Sequence, residues 1–472
     1  MTGWSRRDFL KTALGVSVLG SWLPRPGVAQ EDAASGLVEF GLEAGQQWAE
    51  LGGRSAYLYQ FNGQIPGPVL EASPGDHVRI DFRNSLPENT NLHYHGLHVP
   101  PTGNADNSFL SIPSRESFTY EFDLPASHPG GMFWYHPHVH GSAARQVSRG
   151  LAGVFIVRGE LDQIPEIAAA PEAILVLQDF DLNSAGLPKE PNSTERMMGR
   201  EGSLVTINGQ ITPALYIQKD GWLRLRILNA SSSRFYWLRL EEHPFYLIGT
   251  DGGALPAPEE LEEILLAPGE RVDAMVEGAR PEGSYRLLSL PYNRGGAGMG
   301  MMSGMGMGGS SIETLVLATL IYESQAEYTW RLPQQLVSID PLPEPSVQRS
   351  FLLGQGMGGG MMMGRGMAFT INGRVFNPNR IDTSVQLNAV EEWEFLNTTM
   401  MDHPVHIHTN PFQILGTDGT PLRAWKDVAL VRAGERVRLR TAFRDFTGST
   451  MYHCHILDHE DLGMMGRLEI QS

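Results

Sequence analysis

Ten of the fifteen histidines fall into four short clusters: His93-Tyr94-His95, His136-Pro137-His138, His403-Pro404-Val405-His406-Ile407-His408, and His453-Cys454-His455 with His459 just beyond. Each cluster contains a His-x-His. On a β-strand, residues i and i+2 project from the same face, so each pair offers two imidazoles to one side. Cys454, the only cysteine, lies between two of them and must point the opposite way. One strand thereby serves two sites. Imidazole suits copper, zinc, iron and nickel, whereas two histidines, one thiolate and a more distant methionine are the ligand set of blue copper. Cys454, His459 and Met464 supply most of that set, and His403 can complete it from a neighbouring strand. The other eight clustered histidines, four early and four late in the chain, suffice for a multi-metal cluster at a seam between two domains. Zinc could use these ligands but has no redox use for a thiolate conduit.

Such pairs need strands to hold them, and the chain is written in strands. A turn followed by alternating residues occurs three times: Asn62-Gly63 to Asn84, Asn208-Gly209 to Asn229, and Asn372-Gly373 to Asn397. Ala267-Pro268-Gly269-Glu270-Arg271-Val272 and Arg432-Ala433-Gly434-Glu435-Arg436-Val437 mark a shared later strand in two of the copies. With 472 residues, 53 Gly, 31 Pro and few helical periods, this predicts an all-β protein of three tandem Greek-key barrels or sandwiches. The expected domains are 30–160, 170–330 and 350–472, with linkers near Gly159 to Glu172 and near Pro333 to Arg349. The middle copy has no histidine where the outer copies have His136 and His453, so it is expected to space two ligand-bearing partners.

Composition narrows the function. A net charge of −17 has the wrong sign for holding nucleic acid by phosphate neutralisation. One cysteine forbids an intramolecular disulfide and any four-cysteine metal site. Residues 1–29, with Arg6-Arg7 before the short apolar stretch Thr12 to Leu23 and a small-residue ending at Ala29, read as a twin-arginine export signal. No apolar stretch is long enough to span a membrane. The mature chain is expected to act in the periplasm or outside the cytoplasm as a monomer. A free exposed thiol would be a liability there, so Cys454 is expected to be buried or coordinated.

Taken together, His-x-His-Gly at His93, Trp-x-His-x-His ending at His138, His-Pro-x-His-x-His from His403 and His-Cys-His-x-x-x-His-x-x-x-x-Met from His453 resemble the multicopper oxidases. The resemblance covers the whole mature chain and is to the three-domain bacterial laccase and cuprous-oxidase branch. It implies cupredoxin-like domains and four copper ions between and within domains one and three. On that resemblance His403, Cys454, His459 and axial Met464 hold a type 1 copper, His93 and His406 a type 2 copper, and His95, His136, His138, His408, His453 and His455 a type 3 pair. It further implies one-electron oxidation of a donor, passage through Cys454, and four-electron reduction of dioxygen to water.

Dioxygen reduction also needs protons. Glu460 beside His459, and Asp106 in a loop after His93, match acidic residues of similar enzymes and are the candidate proton donors. Asp402, just before His403, could orient that ligand or be an ordinary polar residue. His77, His98, His128, His140 and His243 read as surface or packing residues. Two Gly-rich patches carry Met299, Met301, Met302, Met305 and Met307, then Met357, Met361, Met362, Met363 and Met367. Thioethers are soft ligands for Cu(I), and similar cuprous oxidases carry a Met-rich insert over the type 1 site. The expected donors are Cu(I) and phenols. The alternatives are a laccase whose methionines only cover the substrate site, and a copper-sequestering protein without catalysis.

Overall fold

The computed structural model describes residues 30–32, 36–295, 313–327, 329–357 and 367–472; the export segment 1–29 lies outside them. The three recurrences begin with the same turn. Asn62-Gly63, Asn208-Gly209 and Asn372-Gly373 have φ of 50° and 72°, 51° and 76°, and 53° and 71°. Positive φ at both central positions is what a two-residue type I′ hairpin demands and what Asn-Gly tolerates. Each Asn then ties its turn to a neighbouring strand, its Oδ1 accepting the N–H of Glu43, Val176 or Leu352 at 2.7, 2.9 and 2.7 Å.

The recurrences also end alike. The strands His77–Asn84, Trp222–Asn229 and Val390–Asn397 each close on a fully buried asparagine. The amide of Asn84 donates to the carbonyls of Glu88 and Ile112, that of Asn229 to Arg234 and Leu266, and that of Asn397 to Met401 and Val431, all within 2.6–3.0 Å. Its oxygen accepts the N–H two residues on, from Leu86, Ser231 and Thr399. These corners satisfy backbone groups where the chain leaves one sheet for the other, groups that would otherwise be buried without partners.

Three two-sheet β-sandwiches result. In the first, the sheet built on Leu37–Leu51, His77–Asn84 and Ser117–Asp123 faces one formed by Gly67–Ala72, Gly153–Val157, Gly131–His136 and His93–His95. The second pairs a six-stranded with a five-stranded sheet, and the third pairs two five-stranded sheets. Each encloses its own apolar core, around Phe40, Phe61 and Phe155, around Leu225, Tyr236 and Phe245, and around Trp393, Phe395 and Tyr452. Short connecting helices, including Glu160–Gln163 and Pro165–Ala168, lie between the first two sandwiches. Among the described residues no helix is long and apolar enough to cross a membrane.

The register of two strand pairs sets the chemistry. In the first sandwich His93 lies opposite His136, and in the third His406 lies opposite His453 while Val405 lies opposite Cys454. Tyr452 and Cys454 point into the third core, which puts His453 on the other face of Gly448–Cys454. Asn397 reaches this site too, because its Oδ1 also accepts the hydroxyl of Thr399, four residues before His403. Asn397→Ala should therefore destabilise the copper-free protein by about 2–4 kcal/mol, since it removes a buried donor from the Met401 and Val431 carbonyls and a buried acceptor from the Thr399 N–H. Denaturant unfolding checks this, and a loss below about 0.5 kcal/mol would contradict it.

Candidate metal centres

Two ligand groups occupy opposite faces of one strand. On the core side, His403 from the strand His403–Ile407, Cys454 from Gly448–Cys454 and His459 from the short helix Leu457–Asp461 bring their donor atoms together. Cys454 Sγ is 3.4 Å from His403 Nδ1 and 3.9 Å from His459 Nδ1, and the two nitrogens are 3.3 Å apart. The far nitrogens are engaged: Thr399 Oγ1 lies 2.8 Å from His403 Nε2, and the Met197 carbonyl lies 2.9 Å from His459 Nε2. Met464 is fully buried in the same core, and its carbonyl accepts the Cys454 N–H at 3.0 Å.

On the other side, eight histidines meet between the first and third sandwiches. His93, His95 and His136 converge, as do His93, His406 and His408, and His138, His408 and His453. His453 Nε2 is 2.9 Å from His408 Nε2 and 3.1 Å from His138 Nε2. The His455 ring centroid lies 4.8 Å from that of His95 and 5.6 Å from that of His136. All eight are fully buried or nearly so.

The residues fit copper. Seven ring nitrogens, on His93, His95, His136, His138, His406 and both of His455, have no hydrogen-bond partner among the described residues. Each buried polar atom left so costs about 1–3 kcal/mol, and seven would cost on the order of 10 kcal/mol, comparable to the whole stability of a domain. Nitrogen lone pairs turned toward one another call for a cation. Imidazole around one space, with thiolate and thioether around the other, is a donor set suited to copper.

Outer contacts choose which nitrogen each ring presents. His93 gives Nδ1 to Asp106 at 2.9 Å, His136 gives Nδ1 to the Pro137 carbonyl at 3.0 Å, and His406 gives Nδ1 to the Asp427 carbonyl at 2.8 Å. His95 is reversed, with Nε2 on the Asp427 carboxylate at 2.9 Å and Nδ1 left free. Ser108 Oγ lies 3.2 Å from His408 Nδ1. Glu460 is buried between His453 Nδ1 at 3.1 Å and His138 Nε2 at 3.7 Å.

Several of these groups are invisible in the motifs. Asp402, read as a possible partner of His403, instead accepts the Tyr292 hydroxyl and the Ala433 N–H, and Thr399 takes the histidine. Asp427 lies nineteen residues beyond the nearest cluster. The middle domain does more than space its neighbours: Gly269, at φ 86°, packs against the His455 ring so closely that a Cβ would stand 3.0 Å from it, and Arg271 reaches Asp427. The repeat containing Arg271 was legible, but its counterpart Arg436 is exposed, so the repeat alone did not distinguish them. His98 joins the Thr409 carbonyl and Asp445, His128 accepts the His98 N–H, and His77 faces Glu121 and Asp123, all away from the two centres. Of the methionine patches, Met299, Met301, Met302, Met305, Met307, Met361, Met362 and Met363 lie outside the described residues, while Met357 and Met367 end two paired strands.

Burial governs the titration of the site. With Arg294 nearby it pulls His403 down to about 3, and with neighbouring imidazoles it pulls His136 to about 3; His138 falls to about 4 although Glu460 opposes. Neutral imidazole is the ligand form. Burial pushes the Cys454 thiol up, so a metal must displace its proton. Burial also raises Asp106 to about 8 against the pull of the Tyr94 N–H. It would raise Glu460 likewise, but His138 and His453 hold that carboxyl at about 2. The histidine shifts set a sign. An unfolded chain takes up these protons below about pH 6.5 and the folded one only near pH 3–4, so stability is full above that window and falls within it. Thermal denaturation of chelator-treated protein should show a loss of several kcal/mol between about pH 6.5 and about pH 4; a flat profile would contradict the burial account.

The comparisons agree with this architecture. Profiles of the multicopper oxidase family match residues 44–162, 173–299 and 350–472. Multicopper oxidase mco of Staphylococcus haemolyticus is 31% identical over 422 residues, 87% of this chain and 83% of that protein. The solved multicopper oxidase of Campylobacter jejuni, described as a metallo-oxidase, superposes with a TM-score of 0.83 at 33% identity, covering 96% of this chain and 95% of that one. The laccase-like CueO of Ochrobactrum sp., described as active toward lignin model compounds, superposes with a TM-score of 0.78 at 27% identity, covering 95% and 100%. Cell division protein FtsP of Escherichia coli K12 is 28% identical over 451 residues, 90% of each chain, so the same architecture also serves a protein named for another role. With three cupredoxin-like β-sandwiches and family matches along nearly its whole described length, this chain belongs to the multicopper oxidase family.

Proposed function

We propose that this chain is an exported oxidase that takes single electrons from Cu(I), and from phenols, and reduces dioxygen to water. The observation that carries the reading is the joining of two complete donor sets by one strand, with Cys454 facing one and His453 and His455 the other. On this reading His403, Cys454, His459 and Met464 hold a type 1 copper, His93 and His406 a type 2, and His95, His136, His138, His408, His453 and His455 a type 3 pair. Copper so held supplies one-electron oxidation at the thiolate centre and multi-electron reduction of dioxygen at the three-copper centre.

The chain's own residues do the rest. Complete burial keeps bulk water from the eight-histidine space. Cys454 is one peptide unit from His453 and from His455, so the shortest covalent path between the centres is the main chain of one strand. Glu460, held ionised against His453 and His138, is placed to take up a proton and pass it on into that space, and Asp106 holds the Nδ1 proton of His93 outside it. Every ligand position is filled, which disfavours a non-catalytic, copper-sequestering reading despite the FtsP likeness. Ser5-Arg6-Arg7 supports export through the twin-arginine pathway, which on this reading sets the activity in the periplasm or elsewhere outside the cytoplasm.

Two contacts support Cu(I) as a donor. Gly295, the last described residue before the first methionine patch, bridges to Met401, two residues from His403. The strands Val347–Met357 and Met367–Ile371 pair Met357 with Met367, and Phe369 from the second stacks on His459 at 3.8 Å. Both patches therefore leave the described fold beside the thiolate centre.

Oxygen uptake tests the assignment. Deleting both methionine patches should abolish Cu(I) oxidation while phenol oxidation is kept or raised; equal effects on both donors would favour a laccase whose methionines only cover the site. Cys454→Ser should lose the blue absorption and all turnover, and a blue, active variant would refute the reading. Met464→Leu should assemble and raise the thiolate-centre potential, read by redox titration. Glu460→Gln should keep the blue absorption but slow oxygen consumption about 100-fold or more, a change stopped-flow reoxidation would detect.

A further inference from the structure

Arg271 belongs to the middle domain, carries no ligand atom, and opens the strand Arg271–Glu277 after a turn whose repeat in the third domain leaves its arginine in solvent. Its guanidinium is only 1% exposed and spends every N–H on a partner. Nε donates to the Met132 carbonyl of the first domain at 3.1 Å. Nη1 donates to the Gly269 carbonyl at 3.2 Å and to Asp427 Oδ1 at 2.7 Å, and Nη2 donates to the Asp251 carbonyl at 2.7 Å and to Asp427 Oδ2 at 2.6 Å. The last pair is a bidentate fork, the geometry only arginine offers a carboxylate.

Asp427 passes this constraint to two rings. Its Oδ1 takes Nε2 of His95 at 2.9 Å, and its main-chain carbonyl takes Nδ1 of His406 at 2.8 Å. His95 is thereby made to present Nδ1 and His406 Nε2, the nitrogens that lack partners. The glycine of His-x-His-Gly makes room for this pair. A Cβ on Gly96 would stand 2.4 Å from Asp427 Oδ2 and 2.5 Å from Arg271 Nη2, and its φ of 88° disfavours a side chain as well. Asp251 faces Asp427 from another element, and the adjacent Lys426 pairs with Asp251 and with Glu270, each at 2.9 Å. Lys426 is thus already paired, and among the described residues Arg271 is the cation that forks onto the carboxylate.

We propose that Arg271, acting through Asp427, is a positioning residue by which the middle domain sets the ring orientation of His95 and His406 and so the hold of the eight-histidine centre on its copper. This rests on the copper reading above. A carboxylate that orients a ligand histidine typically contributes 10- to 100-fold in metal affinity. Lysine cannot reproduce the fork, and an unpinned Asp427 leaves His95 free to present either nitrogen.

The test uses the full mature chain loaded with copper, comparing wild type, Arg271→Lys and Asp427→Asn. Copper per chain is followed during graded removal by a chelator, with the blue absorption reporting the thiolate centre and paramagnetic resonance reporting the type 2 copper. Both variants are expected to keep the blue absorption, to lose the other coppers at roughly 10- to 100-fold lower chelator concentration, and to show an altered type 2 signal. Asp427→Asn keeps the side-chain shape should Arg271→Lys fail to fold. Folded variants with wild-type chelator resistance and an unchanged type 2 signal would overturn the proposal, even with a lowered Tm, because they would leave Arg271 a purely structural clamp. A wild-type chain that neither turns blue nor holds copper would instead overturn the copper reading itself.

Discussion

The structure depends on one constraint: ten imidazoles are taken out of water, and many of their nitrogens are turned toward one another with nothing of the protein between them. A protein can bury a polar group cheaply only by pairing it. In most of the rings the pairing outside the ligand set is done on one side only, and in His455 on neither. Asp106, Pro137, Ser108, Thr399 and Met197 each take one nitrogen and Asp427 takes two, so the opposite nitrogen of each of these rings is aimed at the other ligands. Folding thereby becomes linked to metal binding, as expected where affinity for an ion offsets the cost of assembling its ligands.

The all-β scaffold suits that constraint because alternation on a strand separates two chemistries by one residue. Cys454 faces an apolar core containing Trp393, Phe395 and Met464, which keeps the thiolate centre dry. His453 and His455 face the seam between sandwiches, where histidines from a second domain complete the set. Register makes this possible, since a slip of one residue would exchange the faces. The Asn-Gly turns and the buried asparagine corners fix that register in all three domains, and the third corner also carries Thr399 onto His403. The middle domain joins the same construction through Gly269 and Arg271, so three domains, not two, close around the eight histidines.

Much of this was legible from the chain alone, for a physical reason. His-x-His on strands, the lone cysteine between two of them and the threefold Asn-Gly pattern are local signals, and local signals survive in a linear sequence. Asp106 was singled out as a proton donor, because similar enzymes carry an acid in that loop, and the structure puts its carboxylate on His93 Nδ1. Asp427, Thr399 and Arg271 were not, because each acts through a contact that only tertiary packing creates. Asp402 shows the converse: adjacency in sequence to His403 left open whether it orients that ring or is an ordinary polar residue, and the strand turns its carboxylate toward Tyr292 and Ala433.

The central claim is that two buried donor sets on one strand work as a single oxidase, drawing single electrons at one and spending them together at the other. The most direct measurement is the stoichiometry of Cu(I) oxidised to dioxygen consumed by the copper-loaded chain, with peroxide assayed in the same vessel. Four Cu(I) per dioxygen and no peroxide are expected. Two per dioxygen with peroxide accumulating, or copper bound without oxygen uptake, would contradict the central claim.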